Sequence, residues 1–156
     1  MGEIEIVDVE PVRVMGTRRT GAYTDIPKLF MAIYQHAMAN NVTLKGPAMF
    51  ISHEMSEEEA LKAQEEGNAD LEVAFPVVGS APETEEIKCY ELPGGTMARM
   101  MYKGPYGNMG PTYGKLMAWL EENGKHVTGF FRELYHNDPS QVTEEELLTE
   151  ILVPVE

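Results

Sequence analysis

The stretch KGPYGNMGPTYGKLMAWLEENG, residues 103–124, has a counterpart in the first half of the chain, TGAYTDIPKLFMAIYQHAMANN, residues 20–41. Gly21 falls on Gly104 and Tyr23 on Tyr106, both 83 positions apart. At the same offset Gly46, opening GPAMFISHE, falls on Gly129, opening GFFRELYHN, and His53 falls on His136. LEVAFPV (71–77) then matches TEILVPV (149–155), with Glu72 on Glu150 and Pro76 on Pro154. Here the offset drops to 78, as a shorter connecting loop in the second copy requires. Four segments in one order mark an internal duplication. Copy one covers residues 1–78 and copy two residues 86–156, with the polar seam VGSAPETEE (78–86) between them.

Each copy reads strand, helix, strand, strand. The first strand of copy one is EIEIVDVEPVRVMGTRR, kinked at Pro11; that of copy two is IKCYELPGGTMARMMYK, interrupted at PGG, where a bulge or bend fits. The first helix is expected to start near Asp25 as N-cap, with Pro27 in its first turn. Leu29, Phe30, Ile33, Tyr34 and Ala37 form one broad apolar face on it. The second helix starts near Pro111, with Tyr113, Leu116, Met117 and Leu120 on one face and Gly124 as its stop. Ser56 and Glu59 have capping-box spacing, so SEEEALKAQEEG reads as a short inserted helix. Neither unit can bury its apolar face alone. The expected fold is α+β: a tandem βαββ repeat with pseudo-twofold symmetry, forming one domain over residues 1–156. Its largely antiparallel sheet carries both main helices on one face, with a cleft between them.

The net charge of −14 argues against direct contact with nucleic acid, whose phosphates would be repelled. The longest apolar runs are too short to span a bilayer. The start, MGEIEIVDVEP, is acidic and alternating, so it reads as a strand rather than a secretory or acylation signal. A single cysteine, Cys89, leaves no internal disulfide, and the expected location is cytoplasmic. No nucleophile motif, dinucleotide fingerprint or metal-ligand spacing of the four histidines appears, so no cofactor and no metal are expected.

In GFFRELYHNDP, residues 129–139, alternation puts Phe131, Glu133 and Tyr135 on one face of a strand and Arg132 on the other. A buried, unpaired carboxylate costs several kcal/mol, so Glu133 is either solvated or paired. Parity alone leaves open which face meets the helices. Copy one has Phe50 where copy two has Glu133, a substitution that suits a pocket wall better than a solvated face. Tyr106 and Tyr113 stand at the mouth and first turn of the second helix, and Trp119 lies one step off its apolar stripe. Phe131 shares the Glu133 face, and Phe50 and Tyr23 are the counterparts of Glu133 and Tyr106. Phe30 and Phe75 read as core. Glu72 and Glu150 read as solvent-facing residues or as cross-strand partners of Lys or Arg.

The GPY before the second helix, RELYHNDP, and the terminal TEILVPV resemble the GyrI-like family, also called AraC-type effector-binding domains. DLEVAFPV in copy one agrees with it. The resemblance implies a stand-alone tandem-βαββ domain that binds small, often amphipathic and cationic molecules between its repeats. It puts the cation's counter-ion on Glu133 and a neighbouring tyrosine on Tyr135. Two residue properties suit that role: aromatic faces attract cations by roughly 0.5–2 kcal/mol each when dry, and flexible methionines repack around varied shapes. The leading expectation is therefore a protein that senses or sequesters such compounds. With no DNA-binding segment before the first strand, any regulation of transcription is expected to act through a partner; the macromolecular partners considered are another protein or a second copy in a homodimer. Two alternatives stand beside it. One is a hydrolase of cyclopropane-type electrophilic toxins, with Glu133 and Tyr135 catalytic. The other is a protein-interaction role such as gyrase inhibition.

Overall fold

The computed structural model describes residues 3–79 and 81–156, Glu57 by its backbone alone. Met1 and Gly2, read above for a leader or acyl signal, and Ser80 of the seam lie outside the described residues. In chain order the elements are β1 (Ile4–Val9), β2 (Val12–Gly21), α1 (Ile26–Ala39), β3 (Thr43–Leu44), β4 (Ala48–Ser52), α2 (Glu57–Glu66) and β5 (Ala69–Val78). There follow β6 (Ile87–Leu92), β7 (Gly95–Lys103), α3 (Gly110–Glu122), β8 (Phe131–Tyr135) and β9 (Leu148–Pro154). The fold is α+β, and every ladder within its two compact units is antiparallel.

One unit is Pro11–Pro93, and the other joins Met1–Glu10 to Gly94–Glu156. In the first the strand order is β4-β5-β2-β6, with β3 beside the end of β5. In the second it is β8-β9-β7-β1, the same order strand for strand. The edge strands are exchanged between the copies. Each long first strand is cut, at Pro11 or at Pro93, and its leading half serves the other copy's unit. Proline has no N–H to give a ladder, so the kink read at Pro11 and the interruption at PGG are both strand ends.

The repeated glycine and proline pairs have a steric cause. A Cβ on Gly46 would stand 3.0 Å from Pro76, and one on Gly129 would stand 2.9 Å from Pro154. Each glycine lets the chain entering β4 or β8 lie directly on a proline of the neighbouring strand. The helices end alike too. The side chains of Asn40 and Asn123 donate to the carbonyls of His36 and Trp119, at 2.9 and 2.8 Å. The next residue, Asn41 or Gly124, is left-handed at φ 57° or 65°. Ser56 caps α2 as expected, accepting the Glu59 N–H at 3.1 Å.

Three expectations need correction. Asp25 stands at the N-cap position of α1 as expected, but its side chain makes no capping hydrogen bond to the helix: its carboxylate accepts the Ala22 N–H and closes a 3₁₀ turn, Tyr23–Asp25, ahead of the helix. The apolar stripes are narrower than periodicity implied. Leu29, Ile33 and Ala37 of α1 and Leu116 and Leu120 of α3 are buried, whereas Tyr34 and Met117 are exposed. Phe30 and Phe75 are half-buried and meet edge-on at 5.5 Å. Finally, Glu72 is not solvent-facing: Arg18 stands opposite it across the β2–β5 ladder, as a cross-strand partner would, but the Arg18 guanidinium pairs with Asp70. Glu72 is 8 % exposed, 2.7 Å from His53 Nε2, and accepts the Tyr90 hydroxyl at 2.7 Å. Its counterpart Glu150 does take an arginine, Arg99 Nε at 2.7 Å, together with His136 at 2.7 Å.

The second unit's core fixes the orientation of β8. Ala98 and Met100 of β7, Phe131 of β8 and Ile151 of β9 pack in one cluster with Leu116 and Leu120 of α3. The face of β8 that carries Phe131 and Glu133 is therefore the face that α3 covers. Among the described residues no helix is long and apolar enough to cross a membrane.

Candidate functional site

Strand β8 is pinned to β9 with Glu133 opposite Ile151 and Tyr135 opposite Thr149. Two residues beyond Phe131 the cluster gives way to polar side chains. Tyr113, in the first turn of α3, lays its ring edge-on to Phe131 at 5.5 Å and donates its hydroxyl to Glu133 Oε2. Tyr135 donates to Glu133 Oε1 at 2.7 Å. Tyr106, in the 3₁₀ turn Tyr106–Asn108, meets the Tyr135 ring edge-on at 5.3 Å and is 41 % exposed. Tyr102 of β7 donates to the Pro105 carbonyl at 2.7 Å and so anchors the turn that carries Tyr106.

Glu133, Tyr113 and Tyr135 are each partly buried. Burial pushes the Glu133 carboxyl above the ordinary glutamate range, and the two tyrosine hydrogen bonds pull partly against it. Burial and the adjacent Glu133 charge hold both phenols far above their usual range, so they remain protonated donors. Tyr106 moves the same way, through burial and then the charges of Asp138 and Glu133. Among the described residues Glu133 has no Lys, Arg or His ion partner. Two neutral donors thus hold the carboxylate while its charge stays unbalanced. Such a group can pair with a cation, or accept a proton from a bound water.

Of the residues singled out from sequence, Glu133, Tyr135, Phe131, Tyr106 and Tyr113 lie together. Trp119 stands six residues beyond Tyr113, about 9 Å of helix rise. It lines a separate depression of about 470 Å³ beside β1, with Glu5, Lys115 and Glu122. Phe50 and Tyr23 belong to the other unit, where their rings meet edge-on at 6.2 Å. There Tyr23 donates to Glu54, whose second oxygen takes the Asp70 N–H at 3.0 Å. Tyr102 and Thr149 border the Glu133 group and were missed. The sequence did hold one signal for Thr149, because the other copy has Leu71 at its position.

Over residues 2–156 the sequence matches the family described as the GyrI-like small molecule binding domain. No curated protein matches the chain. Among solved structures, the crystal structure of the EcmrR C-terminal domain is similar at 26 % identity and a TM-score of 0.85. That alignment covers 99 % of this chain and 97 % of the other. EcmrR is also seen in a complex with DNA, and there the chain spans 57 % of its length, again at 26 % identity and a TM-score of 0.85. A hydrolase from Listeria innocua shares the fold at 15 % identity and a TM-score of 0.69, covering 99 % of this chain and 92 % of the other. So does SAV2435, solved bound to tetraphenylphosphonium, at 15 % identity and a TM-score of 0.61, covering 99 % and 94 %.

Proposed function

We propose, for a chain that belongs to the GyrI-like family of small-molecule-binding domains, that it senses or sequesters amphipathic organic cations, with Glu133 as the counter-ion. One observation carries the reading: a partly buried carboxylate held by two tyrosine hydroxyls, with no Lys, Arg or His ion partner among the described residues. Leaving a charge in that setting is costly, and a cationic guest offsets the cost. The rings of Tyr113, Phe131, Tyr135 and Tyr106 supply apolar surface and cation–π attraction around it. The neighbouring SAV2435 structure holds a cation of this chemical class, which supports the assignment.

Rhodamine 6G is a fluorescent amphipathic cation suited to the test. Binding to the wild type and a loss of roughly tenfold or more in Glu133→Gln, the loss of a desolvated charge partner, support the reading. Equal affinity in the two proteins removes Glu133 as counter-ion. A second reading rests on the raised proton affinity of Glu133, which suits a general base beside two protonated phenols. It makes the protein a hydrolase of cyclopropane-type electrophiles. Turnover that disappears in Glu133→Gln favours it, and saturable binding without product over hours excludes it.

A further inference from the structure

Trp119 and its counterpart in the other repeat differ in what covers them. At the offset of 83 Trp119 falls on His36, and β1 falls on β6, each an edge strand. The registers agree, because Ile6 stands opposite Ala98 and Cys89 opposite Met15. In the first unit residues 81–83 bridge α1 to the outer edge of β6. Ala81 is buried, the Pro82 carbonyl accepts the His36 ring N–H at 2.7 Å, and the Glu83 carboxylate accepts the Cys89 N–H at 2.8 Å. A short peptide segment is thus seated in a slot between helix and edge strand.

In the second unit the same place is the depression of about 470 Å³ between α3 and β1. Trp119 carries a ring N–H where His36 has its own, and among the described residues it makes no hydrogen bond. By register the Ile6 N–H points out of the edge as the Cys89 N–H does. An open strand edge of this kind is a template for another chain. The charges are reversed between the two units. The segment seated in the first unit is acidic, with Glu83, Glu85 and Glu86, and the strand beside it carries Lys88. In the second unit Glu5 stands in place of Lys88 and Glu122 in place of Ala39, with Glu3 beside them and Lys115 as the cation of the lining. Arg99, 3.5 Å from Glu5, offsets part of that charge.

We propose that the slot between α3 and β1 is a docking site for a basic peptide segment of a partner protein, seated as residues 81–83 are seated in the first unit. A carbonyl of the segment accepts the Trp119 N–H, and an acceptor side chain takes the Ile6 N–H. Flanking lysine or arginine side chains meet Glu3 and Glu122. Main-chain contacts at the edge give affinity, and the acidic rim selects the partner. The site is separate from Glu133 and independent of the ligand read for it.

Trp119 is the only tryptophan of the chain, so its fluorescence reports on this slot directly. The probes are the peptides acetyl-KSAPQTK-amide and acetyl-ESAPQTE-amide. Both keep the Ala-Pro pair and offer a glutamine to the Ile6 N–H, and they differ only in the charge at their ends. The lysine peptide should shift the emission to the blue, saturating below about 5 mM, and bind at least about fivefold more tightly than the glutamate peptide. Glu122→Gln should weaken it roughly 1.5- to 5-fold, the worth of one exposed ion pair. Trp119→Phe, followed by calorimetry, should weaken it roughly 2- to 10-fold through the lost N–H. Glu133→Gln should leave it unchanged, so the result does not depend on the counter-ion reading. No saturable shift, equal binding of the two peptides, or full affinity in Glu122→Gln or in Trp119→Phe overturns the proposal. So does a loss of peptide binding in Glu133→Gln, which would put the peptide at that carboxylate. An equal blue shift produced by tetraphenylphosphonium in Glu133→Gln would give the slot to small cations and overturns it too.

Discussion

Removing the Tyr135 hydroxyl probes how Glu133 is held. In Tyr135→Phe the ring and its edge-on contact with Tyr106 remain, while Glu133 loses one of its two donors. A hydrogen bond to an ionised group contributes about 1.5–3 kcal/mol, and one to a neutral group about 0.5–1.5 kcal/mol. For a domain of this size each kcal/mol lowers the melting temperature by about 2–4 °C. The variant should therefore melt roughly 3–12 °C lower at a pH where the carboxylate is charged. The pH dependence has a definite sign. Burial raises the Glu133 pKa in the folded protein, so stability linked to this group is fully present below the ordinary value of 4.5 and is lost as pH rises through the folded pKa. Tyr135→Phe raises that pKa further, so its stability deficit widens as pH rises. In a Glu133→Gln background the same change should cost only the neutral amount, a coupling of about 1 kcal/mol or more. Calorimetric melting of the four proteins between pH 4.5 and 8 measures this. A deficit that is constant with pH and identical in the two backgrounds refutes a charge-assisted bond between these residues.

Two predictions concern the scaffold. Gly129→Ala puts a methyl 2.9 Å from the rigid Pro154 ring, and the urea midpoint should fall by the equivalent of about 1–3 kcal/mol. Leu120→Ala opens a cavity under α3 and should cost about 2–5 kcal/mol in the same assay; a cost under 1 kcal/mol would mean that α3 does not seat on this core.

The duplication made much of the fold legible, because its repeated residues answer to local sterics. Gly46 and Gly129 recur since each lies on a proline, and Asn41 and Gly124 recur since each must turn left-handed after a helix. The exchange of edge strands was not legible. Pro11 and Pro93 announce strand ends, but nothing local says which unit each half joins. The burial of Glu72 was hidden for a similar reason, since His53 and Tyr90 reach it from distant parts of the chain. At the candidate site the alternation of β8 gathered Phe131, Glu133 and Tyr135 but could not orient them. The packing of Phe131 and Ile151 with Leu116 does so. Trp119 was drawn to the cleft by its residue type, whereas its place on α3 puts it beside β1.

Titration of tetraphenylphosphonium into the wild type and Glu133→Gln, from pH 5 to 8, addresses the counter-ion role of Glu133 directly. The expected result is wild-type affinity that rises with pH as Glu133 ionises, and variant affinity that is at least about tenfold weaker and independent of pH. Equal affinities with the same pH profile in both proteins would contradict it.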